Sequence, residues 1–277
     1  MKPPFTYFGG KLSIADRIAD MLPPHEHYIE PFAGSLAVLL AKRPSRIETA
    51  NDLDGRLVNF WRVLRDRPAD LERACFLTPH SRAELGASDD LTVVDDLERA
   101  RRVWVALTQG RGGSLRPGRG WRHYADPAGT GSSFPTYLAT YAGRLAPAAA
   151  MLRNVSLECR PALDVIAAYG AHDGNLIYAD PPYEASTRAQ QRNDYVVEMR
   201  GEDEHRELAE ALRACRAAVV LSGYGSPLYE GLYDGWYRAE INATADNGAA
   251  DKRARTEVLW SNRPFPVQMD LFTEEAS

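Results

Sequence analysis

The tetrapeptide Asp180-Pro181-Pro182-Tyr183 follows directly on the apolar run Leu176-Ile177-Tyr178-Ala179. Two consecutive prolines supply no N–H donors, so the backbone there offers carbonyl acceptors only. With the Asp180 carboxylate they form a local cluster of acceptors suited to holding an amino group by its hydrogens. Tyr183 adds an aromatic face on which a base can stack. For the tetrapeptide alone, a rigid turn in which Asp180 caps a helix is the alternative.

Two further segments carry binding chemistry. In Glu30-Pro31-Phe32-Ala33-Gly34-Ser35, Gly34 lets the backbone approach a ligand closely, and a helix beginning near Ser35 presents free N–H groups. Asp52 lies about twenty residues beyond, at the end of the next apolar run, where an acid commonly bonds ribose hydroxyls. Leu36 stands where a nicotinamide or flavin fingerprint has another glycine, and a plain helix-packing turn is the alternative here. In Tyr7-Phe8-Gly9-Gly10-Lys11, a Gly-Gly turn followed by lysine can hold a carboxylate or phosphate. The P-loop spacing is missing.

These segments need strand ends to position them. Residues 12–22 carry Leu12, Ile14, Ala15, Ile18, Met21 and Leu22 at helical spacing, and Pro23-Pro24 stops the helix. His27–Glu30 reads as a strand, Leu36–Ala41 as the opening of a helix, Arg46–Ala50 as a strand and Leu57–Leu64 as a helix. This is the opening of an α/β sheet with parallel strands. From about 75 to 145 the pattern breaks into a helix over Leu97–Leu107, a Gly/Arg/Trp-rich loop over 109–124 and a Gly/Ser-rich loop over 127–135. The alternation resumes at Val155, with strands at Asn175–Ala179, Ala217–Leu221 and Thr256–Trp260 and a helix at Asp203–Ala214. An insertion within one α/β domain accounts for this order.

The chain has 277 residues, 44% hydrophobic and 26% charged, which is globular composition and enough to bury a large core. Its apolar stretches are too short to span a bilayer and its N-terminus lacks a signal-peptide core, so a soluble, cytoplasmic protein without membrane contact is expected. Cys75, Cys159 and Cys215 form no CxxC pair and are expected as buried thiols. The net charge of −5 is unevenly spread. Arg99, Arg101, Arg102, Arg111, Arg116, Arg119 and Arg122 occupy a stretch without Asp or Glu, so one strongly positive face is expected.

In this order the three segments resemble the Dam-type family of adenine-N6 DNA methyltransferases, from Tyr7 to Asn262. Glu198-Met199, His205, Leu208, Tyr224 and the run Glu257–Asn262 add to the resemblance. It implies a Rossmann-like, seven-stranded, mostly parallel α/β sheet with a small target-recognition insertion, mainly helix and loop. The catalytic domain would comprise residues 1–70 and 150–263, the insertion 71–149, and a flexible tail 264–277. S-adenosyl-L-methionine would be the cofactor, double-stranded DNA the partner, and no metal would be needed. Tyr7, Gly9, Gly10, Lys11, Glu30, Phe32, Gly34 and Asp52 would line the cofactor site, Lys11 near the methionine end and Asp52 at the ribose. Asp180, Pro181, Pro182 and Tyr183 would form the catalytic motif, with Tyr183 stacked on the flipped base.

Accepting both amino protons at Asp180 and the Pro181 carbonyl would localise a nitrogen lone pair that is otherwise delocalised into the ring. None of the cysteines follows a proline, so the nucleophile of a ring-carbon methylase is missing. Arg111, Arg116, Arg119 and Arg122, interleaved with Trp121 and Tyr124, are candidates for DNA contact; a solvated loop is the alternative. Lys252 and Arg253 are a second candidate. Gln268-Met269-Asp270-Leu271-Phe272 resembles the peptide by which replication proteins dock on the bacterial sliding clamp, unless it packs on the protein's own surface. Competing readings are an amino-group methyltransferase acting on cytosine-N4 or RNA, and a catalytically inactive DNA-binding relative.

Overall fold

The computed structural model describes residues 1–123, 133–182, 199, 201–243 and 255–266. Seven strands form one sheet: β1 (His27–Glu30), β2 (Ile47–Asn51), β3 (Val155–Glu158), β4 (Asn175–Ala179), β5 (Ala218–Gly223), β6 (Tyr237–Ala243) and β7 (Arg255–Ser261). Their order is β3-β2-β1-β4-β5-β7-β6. The first five are parallel, and β7 runs antiparallel to both β5 and β6. This is the expected Rossmann-like sheet. Order reverses between β1 and β4, so the connections leaving their carboxyl ends diverge and open a crevice.

The inner strands are apolar runs because both faces are covered. The two-residue period sends Tyr28, Leu176, Tyr178, Val220 and Leu259 to one face. Ile29, Ile177, Val219, Leu221 and Trp260 go to the other. The first face packs on α1 (Ala15–Asp20), α2 (Ala37–Ala41) and α3 (Gly55–Asp66). The second packs on α9 (Ala162–Tyr169), α10 (Glu202–Arg213) and α11 (Pro227–Leu232).

Among the described residues, five α-helices lie between α3 and β3 where one was expected: α4 (Pro68–Phe76), α5 (Arg82–Ala87), α6 (Asp96–Gln109), α7 (Phe134–Ala142) and α8 (Leu145–Leu152). Asp95 starts α6, its carboxylate accepting the Glu98 N–H at 2.8 Å. Trp104 and Leu107 of α6 belong to the same buried cluster as Phe60 and Leu64 of α3. This region therefore extends the core of the sheet's first face. The N-terminal segment is fastened to it: Trp104 Nε1 donates to the Pro4 carbonyl, Thr6 Oγ1 to the Leu107 carbonyl and Phe8 N to the Gly113 carbonyl, at 2.9–3.1 Å. Gly113 has φ +65°, and a Cβ there would lie 3.0 Å from the Phe8 nitrogen, so only glycine permits the approach.

Other elements differ from expectation for local reasons. The helix expected over 12–22 is confined to Ala15–Asp20, because residues 11–14 form a turn closed by Ile14 N to the Lys11 carbonyl at 2.9 Å. Leu36 stays outside α2 in a left-handed conformation, φ +54° and ψ +32°, with its side chain wholly buried. Strand β6 was not anticipated. Cys159 is exposed rather than buried, since it lies beyond the last apolar position of β3.

A left-handed leucine costs roughly 1–2 kcal/mol, whereas truncating a buried leucine costs about 2–5 kcal/mol. Leu36→Gly should therefore be destabilising by about 2 kcal/mol, lowering Tm by roughly 4–8 °C for a chain of this size. A raised Tm in calorimetry would mean that backbone strain outweighs burial there.

Candidate active site

The period of the sheet lines up polar groups at its carboxyl edge. Glu30, Ser222 and Glu257 lie two residues from Tyr28, Val220 and Leu259 and share their face, and Asp180 comes next after β4. Lys11, only 5% exposed, reaches in among them. Its Nζ donates to Asp180 Oδ1 at 2.7 Å and to the Gly9 carbonyl at 3.0 Å. Glu257 Oε1 lies 3.6 Å away and is itself held by Ser222 Oγ at 2.6 Å. Burial alone would lower the Lys11 pKa, but the Asp180 and Glu257 carboxylates outweigh it and hold it above the usual lysine value.

Glu30 is buried with Tyr28, whose hydroxyl donates to Oε2 at 3.0 Å. Burial raises its pKa to about 8 against that hydrogen bond, and the nearby Asp180 charge adds to the rise. Asp52 accepts the Gly34 N–H at 2.9 Å and the Asp54 N–H at 2.8 Å. Its pKa is still raised, to about 6, because burial outweighs these donors. Gly34 has φ +48°, and a Cβ there would lie 3.2 Å from the Tyr7 ring. Its carbonyl accepts Trp61 Nε1 at 3.1 Å, which fixes the turn onto α3.

Beside these groups opens a cleft of about 320 Å³ at the β1/β4 switch point, lined by Tyr7, Phe32, Asp52, Leu163, Asp180 and Pro182 among others. Its donor set suits S-adenosylmethionine. Phe32 and Leu163 give apolar walls of the kind a purine needs, and Asp52 offers a carboxylate for hydroxyls. A small chamber lined by Gly9, Gly10, Lys11, Glu30 and Asp180 adjoins this site. Pro181 is buried. Tyr183 lies outside the described residues.

Sequence reasoning missed Asn51, Arg160, Leu163 and Glu207. Buried Asn51 donates from Nδ2 to the Pro31 and Arg160 carbonyls at 2.9 and 3.0 Å, and its Oδ1 accepts Arg160 N at 2.9 Å. It thereby ties the β1 turn to the loop after β3. Its place at the end of β2 was the available signal. Met199 and Leu208, noted only as points of resemblance, also line the cleft.

The arginine-rich stretch does not form one positive face. Arg101 pairs with Glu84 and Glu98, both at 2.6 Å, Arg102 with Glu98 at 2.8 Å and Asp90 at 3.1 Å, and Arg99 with Asp96 at 3.4 Å. The acids stand before the stretch in sequence and fold back onto it. Arg119 turns inward, its side chain 5% exposed, bonding Asp89 at 2.8 Å and Ser88 at 2.6 Å. Trp121 stacks with His80, at 4.3 Å, and with His123, at 5.3 Å, and the Arg82 guanidinium lies over its ring. Arg122 bonds the Tyr137 hydroxyl. Arg111 is exposed and Arg116 half-buried. Tyr124, Lys252, Arg253, Glu198 and Gln268–Phe272 lie outside the described residues.

Strand order and the residues at its switch point define the class, an S-adenosylmethionine-dependent methyltransferase. The chain belongs to the D12 class N6 adenine-specific DNA methyltransferase family, whose model matches residues 7–99 and 128–244. It is 27% identical over 282 residues to the Type II methyltransferase M1.LlaDCHI of Lactococcus lactis subsp. cremoris, covering 94% of this chain and 95% of that protein. Among solved structures it is similar to a precorrin 8W decarboxylase of Methanobacterium thermoautotrophicum, at 9% identity and TM-score 0.41 over 94% of this chain and 98% of that one. A SAM-dependent methyltransferase from Agrobacterium tumefaciens matches at 12% identity and TM-score 0.33, over 89% and 58%. The protein is thus a DNA adenine-N6 methyltransferase. No described helix is long and apolar enough to cross a membrane.

The raised Glu30 pKa has a consequence for stability. Between pH 4.5 and about 8 the folded chain keeps a proton that the unfolded chain has released. Stability therefore falls as pH rises across that window, by on the order of 4 kcal/mol. Glu30→Gln should flatten the fall in Tm between pH 5 and 8; parallel pH–Tm curves for the two proteins would refute this.

Proposed function

We propose that Asp180 and the Pro181 carbonyl accept the amino hydrogens of a flipped-out adenine, and that the cleft beside them holds S-adenosylmethionine. The observation that carries this reading is the Asp180 carboxylate, 18% exposed, at the mouth of the cleft and fixed through Oδ1 by Lys11. Accepting both N–H bonds pushes electron density back onto the nitrogen and localises its lone pair towards the methyl carbon. The bound cofactor supplies that methyl group activated by its sulfonium charge. The chain's own contribution is alignment and a preorganised negative acceptor. After transfer the nitrogen sheds one proton towards Asp180, the nearest base.

Tyr7, Phe32, Gly34 and Asp52 would hold the cofactor, with Gly9, Gly10, Lys11 and Glu30 around its polar end, and no metal would take part. Pro182 shapes the cleft wall, and Tyr183 would stack on the extruded base. Arg111, Arg116 and Arg122 would contact phosphates of double-stranded DNA, while Arg119 and Trp121 would brace the loop that carries them. Lys252, Arg253 and Tyr124 would add to that contact. The Type II designation of the Lactococcus relative supports methylation at a fixed sequence, in the cytoplasm where the DNA is. The clamp-like peptide in the tail supports an additional docking contact during replication.

Asp180→Ala should lower kcat by at least a thousandfold, on the scale of losing a preorganised transition-state contact, with duplex affinity kept within about threefold in a gel-shift titration. Near-normal turnover in a radiolabelled methyl-transfer assay would refute the acceptor role. Asp52→Asn should weaken cofactor binding about tenfold, the loss of one charge-assisted hydrogen bond. Wild-type affinity should also decline as pH falls through about 6, where Asp52 gains its proton, and the variant should not. Calorimetric titration from pH 5 to 8 checks both.

A further inference from the structure

The ammonium beside the acceptor carboxylate has a second carboxylate partner, on a strand remote from the catalytic tetrapeptide. Glu257 opens the buried part of β7, where Val258 pairs with Gly223 at the carboxyl end of β5. The antiparallel course of β7 brings its first residues to the edge where the parallel strands β1, β4 and β5 end. The two-residue period then turns Glu257 to the same face as Leu259, towards Lys11. Its carboxylate is 6% exposed, accepts Ser222 Oγ at 2.6 Å, and stands 3.6 Å from Lys11 Nζ. A buried carboxylate is costly unless its surroundings repay it, and here no packing need calls for one.

We propose that Glu257, anchored by Ser222, is a positioning residue for methyl transfer: it fixes the Lys11 ammonium over Asp180 Oδ1, which orients the Asp180 carboxylate for the target amino group. Two carboxylates on one ammonium define a line along which Nζ can sit. With Asp180 alone, the flexible lysine stem reaches either oxygen and can swing towards the Gly9 turn, whose carbonyl already accepts from it. Glu257 removes that freedom. Among the described residues, those facing Lys11 include Asp180 from the end of β4, Glu257 from β7 and Tyr224 after β5, with Glu30 and Tyr178 lining the adjoining chamber. The inference rests on Asp180 being the acceptor.

The test uses the full-length enzyme with duplex DNA and S-adenosylmethionine. Glu257→Gln keeps the size of the side chain and the bond from Ser222 but drops the charge that draws Lys11. Turnover should fall roughly ten- to a hundredfold, the cost of misplacing a group near the reacting atoms, while duplex affinity stays within twofold. The sign of the pH effect separates positioning from a simple through-space charge. Deleting a negative neighbour would by itself ease ionisation of Asp180 and move the acid limb of kcat to lower pH. Loss of Lys11 from its place takes away the cation that keeps Asp180 ionised, and moves that limb to higher pH. Ser222→Ala keeps the Glu257 charge but removes that anchor, should shift the limb the same way by less, and serves if Glu257→Gln does not fold. Unchanged turnover, or an acid limb that stays or moves down, would overturn the proposal. Asp180→Asn in the same assay keeps the two ideas apart: an active Asp180→Asn sinks the acceptor reading, whereas a dead Asp180→Asn beside an unaffected Glu257→Gln sinks only the positioning role.

Discussion

An ammonium buried to 5% exposure is tolerated only where carboxylates surround it, and Lys11 meets that condition between Asp180 and Glu257. The rest of the site is arranged around this charge. Lys11 comes from the N-terminal turn, Asp180 from the end of β4 and Glu257 from β7, so three distant parts of the chain must be in register before the charge is compensated. The pairing therefore does more than hold two side chains together. It reports that the sheet is assembled, and it places a carboxylate at the one crevice that the strand order provides.

The second condition concerns how the N-terminal segment reaches the sheet's edge. Residues 3–8 are held by backbone and ring contacts from Trp104, Leu107 and Gly113, and Arg144 Nη1 adds a bond to the Pro3 carbonyl at 3.1 Å. All four partners lie between α3 and β3. Those helices share a core with the sheet, so Tyr7 and Lys11 are carried by a rigid layer and not by a free terminus. Movement of the loop beginning at Gly110 would act directly on the backbone of Thr6 to Phe8, against which Gly113 is pressed.

Much of the fold was legible because the inner strands are buried on both faces and their carboxyl ends bear unusual residues. The runs at 27–30, 175–179 and 217–221 need no partner to be recognised, and Asp180 and Gly34 sit where such runs stop. Strand β6 escaped notice because it is an edge: Arg238 and Glu240 alternate outward, pairing with Glu230 and with each other, and Ile241 is the one buried side chain among those described. The helices α7 and α8 were hidden by proline and alanine, which carry a weak period. At the site, local motifs showed Lys11, Gly34, Asp52 and Asp180. Asn51 and Glu257 were seen only as neighbours of other features, since what gives them meaning is a bond to residues about a hundred or more positions away. Leu36 was legible as a departure but not as a left-handed residue. The structure shows that this position favours glycine for its backbone, and that leucine survives there by burying its side chain.

The arginines teach a related point about charge. A stretch without acids between Arg99 and Tyr124 suggested a positive face, yet Arg99, Arg101, Arg102 and Arg119 are answered by Asp96, Glu98, Glu84, Asp90 and Asp89. The acids precede the stretch, and the turn between α5 and α6 returns them to it. A chain of net charge −5 acting on a polyanion cannot rely on its overall field. The cations spent inside instead stiffen the loop from Gly110 to Trp121: Arg119 crosses to Ser88 and Asp89, and His80 and His123 stack with Trp121. The family model has no match anywhere in this loop, its gap running from residue 100 to 127. A loop braced in this way, mounted on the layer that also carries Lys11, presents its groups in a fixed arrangement in place of bulk charge.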